Sequence, residues 1–203
     1  MRTVFIMQFW KKINTYRLMI LSRQVLLLVF CLLCVARPVC ADGITISQAS
    51  TRLVDDVYYL DAVLDFEFED EVLKALQHGV AFNINIEIIL KRERDWLWDP
   101  KIKEEILKIR LEQHPLSNRY IFTEINSGNR QQFGSLSDAL ARLGKVTNYF
   151  LVSEAVLSAG ETYVCMIRAE LSTESLPAVI RPAAVISGKW QMDSPWYSWT
   201  LER

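Results

Sequence analysis

The chain has 203 residues, of which 23 are basic and 24 are acidic, and its formal net charge is −1. The first 41 positions hold six basic residues and no acid, so residues 42–203 keep 17 of the 23 basic residues, all 24 acidic residues and a net charge of −7. Such an acidic surface repels nucleic-acid phosphate, which excludes a nucleic-acid partner, while the 162 remaining residues suffice for one domain with its own core.

The N-terminal segment has the three parts of a secretory signal peptide. A basic start is followed by an unbroken apolar run at residues 25–36 and by Val39 and Ala41, small residues at the −3 and −1 positions of a cleavage site. The apolar run is too short to span a bilayer comfortably. We predict a signal peptide over 1–41, cleaved after Ala41, and a single periplasmic domain over 42–203. The alternative is an uncleaved helix that anchors the domain in the inner membrane, which would be the only contact with the membrane.

One cysteine, Cys165, lies downstream of the predicted cleavage site. An exported domain with a single cysteine builds no internal disulfide, so its core alone must hold it together. The alternation of the surrounding residues places Cys165 on the same face as Tyr163 and Ile167. This pattern favours a buried structural thiol over a reactive one.

Two strands and a helix are predicted in the first part of the domain. Residues 57–68 and 80–90 alternate between apolar and polar side chains, which is typical of half-buried antiparallel strands. Between them, the sequence DEVLKALQHG predicts a short helix, with Asp70 as its N-cap and Gly79 in the left-handed position that ends it.

Further alternating runs predict strands at 104–113, 119–125, 130–133, 150–157 and 162–171. The first of these also fits a helical stripe; we assign a strand because a turn and a second apolar run follow it. The clearest helix is SLSDALARLG, in which Ser135 is the N-cap, Asp138 holds the capping-box position and Gly144 ends the helix. A loop bounded by prolines at 176–182 and an aromatic tail close the chain.

These elements predict a mainly β fold with seven to nine strands. The connections are mostly too short for parallel crossovers, so the strands form an antiparallel β-sandwich or a strongly curved sheet, with two short helices at its edges and the signal helix before it. The sequence contains no linker, repeat or low-complexity run, which indicates one domain.

Motifs for metal or nucleophilic chemistry are missing from the predicted mature sequence. The two histidines, His78 and His114, belong to no zinc-binding pattern, and no G-x-S-x-G or S-x-x-K motif occurs there. We therefore predict no catalytic residue, no metal and no cofactor. Asp61, Asp65 and Glu67 follow one another on the outer face of a strand, where a hydrolase or a calcium site could use them, although a solvated strand face is the favoured interpretation.

Two aromatic clusters lie in connecting segments: Trp96 and Trp98 in RDWLWD, and Trp196, Tyr197 and Trp199 in SPWYSW. We select these five side chains as candidate partner-binding residues. Such rings can close the core of the domain, form a surface for a protein partner or stack on sugars. Core closure is favoured because the domain has no disulfide.

The conformation of the tail decides where its rings point. Ser194 and Pro195 resemble an N-cap and the first position of a helix, and one helical turn would bring Trp196 and Trp199 together. A strand would instead send these two rings to opposite faces. We expect the tail to dock on the domain and both tryptophans to be mostly buried.

Six segments, in order, resemble an uncharacterised family of exported proteobacterial proteins, the domain of unknown function 4390. They are VYYLDA, RDWLWD, HPLSNRYIFTEINSG, FGSLSDALARLG, ESLPAVIRP and SPWYSW. The resemblance covers nearly all of residues 43–200. The family has no established activity and therefore offers no catalytic residues. Its members are often encoded beside a membrane histidine kinase, which implies an accessory role in the cell envelope.

The sequence therefore predicts a non-enzymatic exported domain that binds or modulates an envelope protein, such as a membrane sensor kinase. A hydrolase that uses the carboxylates of the acidic strand is the alternative from another functional class. A module that binds glycans or lipids is the third hypothesis.

Overall fold

The computed structural model describes residues 43–94, 100–179 and 181–202. Two of the predicted partner-binding residues, Trp96 and Trp98, lie outside the described residues. Within these ranges the chain forms nine strands: β1 (Ile44–Val54), β2 (Val57–Phe66), β3 (Phe82–Arg92), β4 (Lys101–His114), β5 (Arg119–Glu124), β6 (Arg130–Phe133), β7 (Lys145–Ser153), β8 (Tyr163–Ser172) and β9 (Tyr197–Thr200). Three short helices accompany them: α1 (Asp70–Gln77), α2 (Leu136–Leu143) and α3 (Arg181–Ser187).

The strands form two antiparallel sheets. The smaller sheet has the order β1-β2-β7, and the larger sheet has the order β6-β5-β4-β3-β8-β9. Every pairing in both sheets is antiparallel. The structure thus confirms the predicted mainly β architecture with antiparallel sheets and short helices.

The core consists of the inward-facing side chains of both sheets. Four residues of β2 and five of β3 face the core, as their sequences predict; they are Tyr58, Leu60, Ala62, Leu64, Phe82, Ile84, Ile86, Ile88 and Leu90. Their neighbours are exposed or half-buried, except for Ile89, which is also buried. They belong to one buried cluster that also contains the inner face of β8. Burying each large aliphatic side chain contributes about 1.5–3 kcal/mol, so this cluster is the main source of stability.

Helix α1 covers one end of the core with Val72 and Leu76. Its predicted N-cap is wrong: Glu69 occupies the cap position without a side-chain hydrogen bond, and Asp70 is the first helical residue. An acidic residue in the first turn still stabilises the helix, because it faces the positive end of the helix dipole. The predicted end is confirmed, since Gly79 follows the helix at φ +85°.

Helix α2 confirms its predicted cap. The Ser135 hydroxyl accepts a hydrogen bond from the Asp138 amide at 3.1 Å and donates one to the Asp138 carboxylate at 2.6 Å. Gly144 ends the helix, and its carbonyl accepts a hydrogen bond from the Leu64 amide at 2.8 Å. A side chain at this position would collide with the Leu64 carbonyl oxygen, so glycine is required where the helix meets β2.

Two elements differ from the sequence-based predictions. Strand β1 was not predicted because a bulge between Ile46 and Gln48 interrupts its alternation. Helix α3 begins inside the segment predicted as a proline-bounded loop. Pro182 is the second residue of this helix, where the missing amide hydrogen breaks no intrahelical bond, so the proline does not prevent the helix. Among the described residues, no helix is both long and apolar enough to cross a membrane.

Candidate interaction surface

The C-terminal segment runs beside β8 as an added edge of the larger sheet. The Leu171 amide donates to the Met192 carbonyl at 2.8 Å, and β9 then pairs with β8 in antiparallel register. The tail is therefore docked, as expected, but it is a strand. The resemblance of Ser194 and Pro195 to a helix start was misleading.

Ser194 serves the sheet and not a helix. Its buried side chain accepts a hydrogen bond from the Ala169 amide at 2.9 Å, and its own amide donates to the Ala169 carbonyl at 2.8 Å. The backbone of the tail offers no acceptor to the Ala169 amide of β8 at this point. The Ser194 hydroxyl takes its place. A buried amide without such a partner would cost about 1–3 kcal/mol.

Strand β9 presents two rings to the core. Tyr197 lies opposite Ile167, and Trp199 lies opposite Cys165, whose side chains are fully buried. The two rings are half-buried, with their centroids 6.0 Å apart, and pack against the core cluster. The favoured interpretation, in which the aromatic tail closes the core, therefore holds for Tyr197 and Trp199.

Trp196 lies on the opposite, outer face of the sheet and remains 37% exposed, contrary to the expectation of burial. The Arg168 guanidinium lies 4.8 Å from the centroid of its ring. Arg168 also donates a hydrogen bond to the Glu87 carboxylate at 2.8 Å. The tryptophan is thus part of an ordered group of side chains on the surface.

On the outer face of the larger sheet, this group forms a row across β4, β3 and β8 that ends at the residue before β9. Glu87 on β3 is opposite Ile106 on β4 and Arg168 on β8, and Trp196 precedes β9 beside Arg168. We call Ile106, Glu87, Arg168 and Trp196 the outer row. Its two ends are apolar and exposed, since Ile106 is 41% exposed. A second polar pair, Asn85 with Glu170 at 3.0 Å, lies beside it.

The outer row has the chemistry of a protein-binding surface. Tryptophan and arginine are the side chains that most often dominate the energy of protein interfaces. Here the arginine is held on one side by a carboxylate and on the other by an aromatic face, so its orientation is fixed before any partner binds. The tryptophan was selected from the sequence. Its neighbours Glu87, Arg168 and Ile106 cannot be found in this way, because only the pairing of β3 with β4 and β8, and of the tail with β8, brings them together.

The carboxylates of β2 lie on the outer face of the smaller sheet, as predicted. Asp61 accepts hydrogen bonds from Arg52 Nε and from the Asn148 amide, both at 2.8 Å. Burial favours the neutral acid, but the hydrogen bonds from Asn148 and Arg52 outweigh it and hold the pKa of Asp61 below its usual value. A carboxylate that stays ionised in this way is poorly suited to act as a general acid.

Asp65 and Glu67 line a cleft of about 500 Å³ between β2 and α2, together with Lys145. Asp61 lines an adjoining cleft of about 340 Å³. The acidic strand is therefore divided between two open depressions on the sheet. No group of three or more metal-ligating side chains is found in the part of the chain that the structure describes.

The surroundings of Cys165 and of the two histidines indicate structural roles. Cys165 is fully buried, and burial raises its pKa to about 12, so it is not a nucleophile at neutral pH. His78 occupies the C-cap of α1, where its Nδ1 lies 2.6 Å from the Lys74 carbonyl oxygen. His114 is the last residue of β4.

Comparisons with known proteins give one result. No curated protein and no solved structure matches the chain. The model of one family, a domain of unknown function, DUF4390, matches residues 41–200 and so covers the whole of the described fold except its last residues. This protein therefore belongs to the DUF4390 family.

Proposed function

We propose that this protein is an exported, non-enzymatic domain that binds an envelope protein through the outer row and modulates it. The observation that carries the proposal is the stack of the exposed Trp196 ring on Arg168, which is itself fixed by Glu87. A membrane sensor kinase is the partner that the family resemblance suggests. The predicted signal peptide supports export, because it would deliver the domain to the compartment in which such a kinase exposes its sensor region.

The row suits recognition better than core packing. A tryptophan that only served stability would be expected to turn inward, as Trp199 does three residues later in the same tail. Trp196 instead stands on the outside, with apolar Ile106 at the other end of the row and the charged pair between them. This arrangement offers two apolar anchors and one oriented charge, which is the composition of the central part of many protein interfaces.

In-cell photo-crosslinking tests this function. A photoreactive residue is placed at Ser198, which is exposed and follows Trp196 on the same face, and a matched control is placed at Ser50 on the outer face of the smaller sheet. We expect capture of an envelope protein from position 198 and not from position 50. Trp196→Ala should abolish the capture. Equal capture from both positions, or capture that survives Trp196→Ala, would contradict the proposal.

Modulation is tested on the captured protein. If it is a sensor kinase, its autophosphorylation rate in membrane vesicles should change when the purified domain is added. The Trp196→Ala domain should leave the rate at its basal value, whereas Thr45→Ala, which alters an exposed residue of β1, should act like the unaltered domain. An equal effect of both variants would show that the outer row is not the contact.

A hydrolase is the second candidate, and the cleft that contains Asp65 and Glu67 is the observation that favours it. Paired carboxylates in an open cleft are the machinery of glycoside hydrolysis. Hydrolysis of polysaccharide substrates by the purified domain, lost in both Asp65→Asn and Glu67→Gln, would establish this alternative. We expect no such hydrolysis.

A further inference from the structure

Basic side chains gather on the outer face of the larger sheet, next to the outer row. Because the side chains of β4 alternate between the two faces, Lys108 and Arg110 lie on the same face as Ile106. Arg110 lies opposite Thr123 of β5, which in turn lies opposite Arg130 of β6. The two arginines therefore share the outer face, with their strands about 10 Å apart.

A fourth cation, Arg119, belongs to the same face. It begins β5, and the residue after it, Tyr120, points into the core. We call Lys108, Arg110, Arg119 and Arg130 the basic patch, and all four residues are exposed. The pairing of three strands, and not proximity in the sequence, brings them together.

One carboxylate lies within the basic patch. Glu112 Oε2 is 3.1 Å from Arg110 Nε, and Glu112 Oε1 is 3.9 Å from Arg130 Nη2. Within the described ranges of the chain, Lys108 and Arg119 form no ion pair. Four cations and one carboxylate leave a local charge of +3, although residues 42–203 as a whole have a net charge of −7.

The other acidic residues near the patch do not neutralise it. Glu104, farther along β4, pairs with Lys101 at 2.6 Å. Glu124 of β5 lies on the opposite face of the sheet, where it pairs with Arg142 at 2.6 Å. Glu170 is on β8, two strands away from β4. The basic patch is therefore a positive region on a domain that is otherwise acidic.

We propose that the basic patch binds an acidic segment of the same envelope protein that the outer row binds. The inference rests on the proposed function and adds the chemistry of the partner. The two surfaces are continuous, since Ile106 of the outer row lies two residues before Lys108 on the same face of β4. A positive region on an acidic domain attracts an acidic segment, while the rest of the surface repels it, and this difference fixes the orientation of the partner.

The geometry of the patch suits carboxylates. Glu112 already lies between Arg110 and Arg130, so these two guanidinium groups can share one carboxylate. Exposed ion pairs of this kind contribute little to stability, and a carboxylate of the partner can therefore join or replace Glu112 at low cost. Ile125 is 46% exposed, and its amide donates to the Lys108 carbonyl at 2.8 Å. It offers an apolar contact beside the patch, which a protein segment can use.

Poly-L-glutamate tests the patch independently of the partner. In an NMR titration of the exported protein purified from cells, at low ionic strength, we expect shifts of the backbone amides at residues 108–112, 119–123 and 130–132. Added salt should weaken the binding, because it screens the charges. Arg110→Gln/Arg130→Gln should weaken it severalfold. The matched control Lys74→Gln/Lys189→Gln removes two exposed positive charges elsewhere and should leave the affinity unchanged. Absent shifts, or shifts spread over cationic residues of the whole domain, would overturn the proposal.

Crosslinking in cells tests the partner. A photoreactive residue at Gln132, which is exposed on the outer face of β6, should capture the same protein as position 198. Arg110→Glu/Arg130→Glu should reduce both captures severalfold. If position 198 captures an envelope protein but position 132 does not, or if the charge reversal changes neither capture, the acidic partner is overturned and the outer row stands. Trp196→Ala should lose the capture from position 198 and keep the affinity for poly-L-glutamate, so the two proposals fail separately.

Discussion

Asp61 stabilises a bulge in the smaller sheet. Strand β7 has a bulge there, in which Thr147 and Asn148 oppose the single residue Asp61, and Asn148 adopts φ +54°. The aspartate accepts the Asn148 amide, and Arg52 contacts both Asp61 and the Asn148 side chain. The sequence indicated only that Asp61 faces outward. Its partners come from two other strands, and local alternation contains no information on them.

This arrangement makes the stability contribution of Asp61 dependent on pH. Because its pKa is lower in the folded state than in the unfolded state, its contribution is complete above the unfolded value of about 3.9 and is lost as the pH falls through the folded value. The side chain is about one-third exposed, so solvent screening keeps the effect small.

We predict that Asp61→Asn lowers the free energy of unfolding by about 0.5–1 kcal/mol at pH 7 and has no effect near pH 2. Urea unfolding at the two pH values measures the difference. Asp65→Asn on the same strand face is the control and should change little at either pH. An Asp61→Asn effect of equal size at both pH values would mean that the carboxylate charge is not involved.

Single elements of this fold differ in how far sequence can predict them. Strands β2 and β3 were predicted because uninterrupted alternation places one apolar face on the core. Strand β1 was not, since its bulge reverses the alternation halfway. The tail was ambiguous because Ser194 and Pro195 are as compatible with a helix start as with a strand that leaves a buried serine. Only pairing with β8, which is distant in sequence, decides between them.

The two tryptophans of the tail, Trp199 in β9 and Trp196 just before it, therefore have different roles. Trp199 packs on the core, so Trp199→Ala should lower the free energy of unfolding by about 3 kcal/mol, at the low end of the range for tryptophan because the ring is only half-buried. Trp196→Ala should cost less than about 1 kcal/mol, since its ring lies on the surface. Thermal and urea unfolding of the two variants measure the costs. Equal losses would place Trp196 among the structural residues and weaken its assignment to recognition.

At the scale of the whole domain, the two candidate functions use different sheets. The outer row lies across the middle of the outer face of the larger sheet. Asp61, Asp65 and Glu67 line clefts of the smaller sheet. Variants of one surface therefore leave the other surface intact, so the two functions can be tested separately.

The fate of the leader provides the last prediction. If the leader is cleaved after Ala41, mass spectrometry of the exported protein should show a mature N-terminus at Asp42, and Ala41→Leu should yield the intact chain of 203 residues, because a large residue at the −1 position blocks the signal peptidase. An intact wild-type chain in the membrane fraction would instead establish the uncleaved anchor.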